Sequence, residues 1–91
     1  MPKIPRNISG RDLAKLLSKY GYRFDRQVGS HFSLKSDYKG FEHRITIPDH
    51  TFIKIGTFNN ILNDVANYLG IDKKELIEKL FWKRRKIVFK A

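Results

Sequence analysis

The sequence predicts an α+β fold of one helix, a three-stranded antiparallel meander, a second helix on the same sheet face, and an extra C-terminal helix with a basic tail. Three observations carry this. Apolar residues recur at helical spacing near residues 10–20, 57–69 and 72–81. They alternate at period two in three short runs between residues 22 and 47. Glycine or proline punctuates the junctions between these runs. The chain has 91 residues and no cysteine, so it fits one domain over 1–91. Disulfide scaffolds, thiol catalysis and cysteine-based zinc sites are excluded. Three histidines with few nearby carboxylates leave little material for a metal cage.

The first eight residues read as a loose or docked leader. Ser9 can cap a helix, with Asp12 three residues on and Ile8 able to staple to Leu13. Leu13, Leu16, Leu17 and Tyr20 form one stripe, and Gly21 stops the helix. In residues 22–28, Tyr22, Phe24 and Val28 fall on one side and Arg23, Asp25 and Gln27 on the other. Arg26 breaks the apolar side. Gly29-Ser30 is a two-residue hairpin turn. Phe32 and Leu34 then face the core, with His31, Ser33 and Lys35 opposite. Residues 36–43 supply a second hairpin loop, and Arg44–Ile47 a third strand stopped by Pro48.

Thr57 is the expected N-cap of the second helix, whose stripe is Phe58, Ile61, Leu62, Val65 and Leu69, closed by Gly70. Asp72 and Glu75 form the expected capping box of a third helix, with Leu76, Ile77, Leu80 and Phe81 as its apolar face. Ile87-Val88-Phe89 fits either a short strand or more helix. Each helix has one apolar face, so two helices cover one sheet face and leave the other open. The alternation puts Arg23, Gln27, His31, Ser33, Lys35, Arg44 and Thr46 on that open face.

The net charge is +10, divided as +4 over residues 1–20, +2 over 21–56 and +4 over 57–91. Lys79, Lys83, Arg84, Arg85, Lys86 and Lys90 form a run with no acid among them. A charge this high self-repels unless something rewards it: a polyanion, meaning nucleic acid or an anionic membrane surface, or an acidic protein partner. No apolar run reaches the roughly 18 residues of a membrane span. Residues 1–7 lack the apolar stretch of a secretory signal. The expectation is a soluble cytoplasmic protein with no membrane partner and no small-molecule cofactor.

Three segments resemble the HicA toxins. They are Ser9–Leu17 with Gly21-Tyr22, then Arg26-Gln27 leading into Gly29-Ser30-His31-Phe32, then Ile45–His50 with Gly56–Leu62. Together they span a family-like core of about residues 8–71, leaving 72–91 as the C-terminal helix and tail. The resemblance implies a double-stranded-RNA-binding-domain-like α-β-β-β-α fold. It also implies a ribonuclease that cleaves messenger RNA without a metal and is held off by a HicB-type antitoxin. The histidine of the glycine-serine-histidine segment, here His31, is the implied catalytic residue. Phe58 stands where the family usually has a small hydrophobic residue.

Histidine titrates near neutrality, which suits His31 to take a proton from a ribose 2′-OH. Gly29 and Ser30 shape the turn that presents it, and Ser30 can also donate to phosphate. Lys35 and Arg44 are candidates to neutralise charge on a pentacoordinate phosphorane, against the ordinary alternative of a solvated sheet face. Arg26 and Arg23 are candidates for backbone contacts. His50 is a candidate general acid or phosphate ligand, or a loop cap; His43 reads as a hairpin residue without a role. Trp82 and Phe89 interleave the basic tail, which suits base stacking; Leu76, Ile77, Leu80 and Phe81 alternatively make that segment a docking or dimerisation surface. A non-catalytic RNA-binding module of the same fold is the competing reading.

Overall fold

A computed structural model describes residues 7–82. Helix α1, Gly10–Leu17, continues as a tighter turn over Ser18–Tyr20. Strands β1 (Arg23–Val28), β2 (His31–Ser36) and β3 (His43–Pro48) form an antiparallel sheet in that order. Helix α2, Ile55–Leu69, and the short α3, Lys73–Ile77, follow, with a wide turn over Glu78–Trp82. The predicted α+β order and the three-stranded meander are both present. The readings of the leader before Asn7, the basic run 83–86 with Lys90, and Ile87–Phe89 lie outside the described residues.

Helix α1 starts where its cap dictates. Ser9 is extended, and its hydroxyl accepts the Asp12 N–H at 3.0 Å. Gly21 ends the segment at φ 80°, a left-handed conformation that suits glycine. Leu13, Leu17 and Tyr20 are buried, and Ile8 joins them in the core. The leader is therefore docked from Ile8 onward, where the Ile53 N–H donates to the Ile8 carbonyl at 3.0 Å.

Strand β1 departs from simple alternation. Phe24 pairs with Leu34, but Arg26 pairs with Ser33, so Asp25 is an extra residue bulged out of the ladder. The bulge reverses the faces of everything after it. Val28 lies opposite His31 on the open face and is 64% exposed, while Gln27 lies opposite Phe32 on the core side. Both placements correct the period-two expectation. Arg26, which interrupted the apolar side in the sequence, sits opposite Ser33 on the open face for the same reason. Phe24 keeps the core side but remains exposed on the edge strand, its ring edge-on to Phe32 at 6.1 Å.

Helix α2 begins at Ile55, two residues before the expected Thr57 cap. Lys54 occupies the cap position without a side-chain bond, and the Phe58 N–H reaches the Lys54 carbonyl at 2.9 Å. The fully buried Phe58 is thereby already one turn inside the helix. Gly70 closes α2 at φ 73°, with the Ile71 N–H donating to the Ala66 carbonyl at 3.1 Å and Gly70 N–H to Asn67 at 3.3 Å.

Asp72 caps α3 through its backbone only. The expected capping box is not formed, because Glu75 instead pairs with Lys79 at 3.3 Å. That pair also removes Lys79 from the acid-free run. Leu76, Ile77 and Leu80 are buried in the same core as Leu62 and Val65, and Phe81 packs edge-on to Phe58 at 6.1 Å. The apolar face of this segment is consumed within the chain, which corrects its reading as a docking or dimerisation surface.

Candidate nucleic-acid interface

His31 opens β2 directly after the Gly29-Ser30 turn. Gly29 has φ 60° and Ser30 does not share that sign, which is a type II′ turn with glycine at its first central position. A Cβ at Gly29 would meet nothing within 4 Å, so the backbone angle alone requires glycine there. His31 lies opposite Val28 on one side and Pro48 on the other. It is exposed, and among the described residues nothing hydrogen-bonds its ring.

The turn is tied to the end of β3. The Asp49 N–H donates to the Ser30 carbonyl at 2.7 Å. Gln27 Nε2 donates to the Gly29 carbonyl at 3.2 Å and to Asp49 Oδ2 at 3.4 Å. Arg11 Nε, from α1, reaches Asp49 Oδ1 at 3.4 Å. The Gly10 N–H donates to the His50 carbonyl at 3.0 Å. A Cβ on Gly10 would fall 2.0 Å from the Pro48 carbonyl oxygen, so only glycine lets the start of α1 lie against this loop. His50 itself is exposed. The family-like segment around Gly10 was visible in the sequence, but this close approach was not.

The other end of the open face is a compensated charge cluster. Asp25, the bulged residue, pairs with Arg44 and with Lys35 Nζ at 3.5 Å. Arg44 also reaches Glu42 at 3.2 Å and Ser33 Oγ at 3.3 Å. The Arg44 guanidinium holds the Asp25 carboxyl below the usual carboxylate range, and Asp25 raises Arg44 in turn. Lys35 is four residues from His31, roughly 13 Å along the strand, and Arg44 lies opposite Lys35. That spacing separates both cations from a phosphate at His31. Arg26 is closer, about 7 Å along the sheet, exposed, and in no ion pair among the described residues. Arg23 lies opposite Lys35 and reaches Asp37 at 3.9 Å.

His43 is engaged rather than idle. It starts β3, and its Nε2 donates to Asp64 Oδ1 at 3.2 Å. Its Nδ1 makes a hydrogen bond of 2.7 Å with the Tyr22 hydroxyl. Its ring stacks on Tyr68 at 4.6 Å and 11°. Burial pushes the Tyr22 phenol well above its ordinary value. No periodicity argument could find this contact, since its partners are 21 and 25 residues away in sequence.

An α-β-β-β-α order, with α1 and α2 over one face of a three-stranded sheet, defines a protein of the double-stranded-RNA-binding-domain-like α+β class. One family model, described as HicA toxin of bacterial toxin-antitoxin, matches residues 10–66, more than half the chain. The chain belongs to the HicA toxin family. No curated protein and no solved structure matches it. The matched stretch contains the Gly29-Ser30-His31 turn, Asp49 and most of α2. No helix among the described residues is long and apolar enough to cross a membrane.

Proposed function

We propose that this toxin is a metal-independent endoribonuclease of single-stranded messenger RNA, with His31 as general base and a HicB-type antitoxin as its inhibitor. The reading is supported above all by His31 itself, an exposed and unengaged imidazole on a turn whose two carbonyls are both tied down. A base must meet its proton at hydrogen-bond distance, and a fixed turn supplies that reach. His31 takes the proton of a ribose 2′-OH as that oxygen attacks the adjacent phosphorus. The P–O5′ bond breaks, leaving a 2′,3′-cyclic phosphate and, after protonation, a 5′-hydroxyl. His50, two residues beyond the partner of His31 across the sheet, is the proposed acid.

Arg26 and Ser30 hold the phosphate near His31, while Lys35 and Arg44 meet the RNA backbone farther along the sheet. Membership of a toxin-antitoxin family supports an antitoxin partner; metal independence and a cytoplasmic setting belong to the same proposal. The test is a single-stranded RNA beside its all-2′-deoxy counterpart. Cleavage of the RNA alone, with cyclic phosphate ends, supports the reading. Equal cleavage of both strands, or 3′-hydroxyl products, overturns it.

A further inference from the structure

We propose that Asp49 is a positioning residue that fixes the His31 turn against the rest of the fold. This inference rests on the ribonuclease reading of His31. Three observations on the sheet lead to it. First, the strand partner of His31 on β3 is Pro48, and the last rung of that ladder lies one residue beyond it, at the turn itself. There the Asp49 N–H donates to the Ser30 carbonyl at 2.7 Å.

Second, the Asp49 carboxylate holds the other turn carbonyl at one remove. Its Oδ2 accepts from Gln27 Nε2, which also donates to the Gly29 carbonyl. Gln27 is on that side of the sheet only because the Asp25 bulge put it there. Third, Oδ1 accepts from Arg11 of α1, and the side chain is only 24% exposed. Both carbonyls of the turn therefore lead to one residue, and that residue leads to the helix. The 3.4 Å contacts are long, so their contribution to overall stability is small. Their consequence is for the placement of His31, where an ångström matters: misplacement on that scale costs up to about 10²-fold in rate.

The test is Asp49→Ala, Asp49→Asn and Gln27→Ala beside wild type, read by RNA cleavage kinetics and by amide hydrogen exchange. For Asp49→Ala, kcat is expected to fall about 10–100-fold with KM changed less than about twofold. Asp49→Asn keeps one acceptor oxygen and is expected to fall between. Exchange is expected to rise at residues 30, 31 and 49 while the α2 amides stay protected. Because Asp49 reaches the Gly29 carbonyl through Gln27, the variant carrying both Asp49→Ala and Gln27→Ala is expected to lose less than the product of the two single losses. An unchanged kcat with unchanged exchange overturns the proposal. So does a loss of kcat accompanied by faster exchange across the whole sheet, which is a role in general stability. If wild type cleaves no RNA, the ribonuclease reading fails by itself, and the exchange pattern decides the role of Asp49 in the same two directions.

Discussion

Asp25 and His31 share the open sheet face but stand in opposite circumstances. His31 has no partner among the described residues, whereas Asp25 is engaged by Lys35 and Arg44. Each exposed pair contributes little to stability, but the one Asp25 carboxylate offsets part of the charge that Lys35 and Arg44 offer the RNA backbone. Asp25→Asn is expected to tighten binding of a single-stranded RNA oligonucleotide. Arg44 keeps its pair with Glu42, so the log-log salt slope is expected to steepen by up to about 0.7, one phosphate gained, as measured by fluorescence anisotropy across a salt series. Tyr22 gives a second residue-scale prediction. Its phenol is raised by burial, so the folded state keeps the proton at a pH where the unfolded chain has lost it. The stability this contributes is complete below pH ~10 and is lost as pH rises above that, by up to about 1.4 kcal/mol per unit. Tyr22→Phe, followed by denaturant melts from pH 8 to 11, is expected to flatten that decline. The hydrogen bond to His43 that it removes is expected to cost about 1 kcal/mol at neutral pH.

At the scale of elements, caps and stripes were legible in the sequence because they depend on neighbours three and four residues apart. Ser9, Gly21 and Gly70 act where the sequence placed them, and the stripes of α1 and α2 are buried except for Leu16, which is half-buried. The β1 bulge was not legible as such, although Arg26 interrupting the alternation was its trace. A one-residue insertion reverses faces, and only the pairing partner reveals it. The same holds for the Thr57 cap, displaced because Phe58 must already be buried one turn into α2. At the site, the Gly29-Ser30-His31 turn was readable locally. The ties from Arg11, Gln27 and Asp49 were not, because they join segments up to 38 residues apart. Gly10 offers the sharpest element-scale test. Gly10→Ala places a methyl group 2.0 Å from the Pro48 carbonyl oxygen, so α1 must shift away from the loop. The expected cost is about 1–3 kcal/mol, seen as a thermal midpoint lowered by at least about 4 °C. Ser9→Ala removes only the cap bond and is expected to cost about 1 kcal/mol.

Along the whole sequence, net charge and the His31 turn fall in different stretches. Between residues 7 and 82 there are twelve Lys and Arg against nine Asp and Glu, a net of +3, which leaves seven of the ten net charges on residues 1–6 and 83–91. Residues 7–82 thus hold the turn and its histidine, and the other residues hold most of the net charge that attracts a polyanion. Removing residues 83–91 takes away five cations, and the salt slope of RNA binding is expected to fall by up to about 3.5. The proposed chemistry rests on His31. The most direct measurement is the initial rate of single-stranded RNA cleavage by the purified protein in EDTA, wild type beside His31→Ala, with folding of both checked by circular dichroism. Wild type is expected to cleave, with a fall of about 10²–10⁴-fold in the variant. A folded His31→Ala protein that cleaves at the wild-type rate would contradict it.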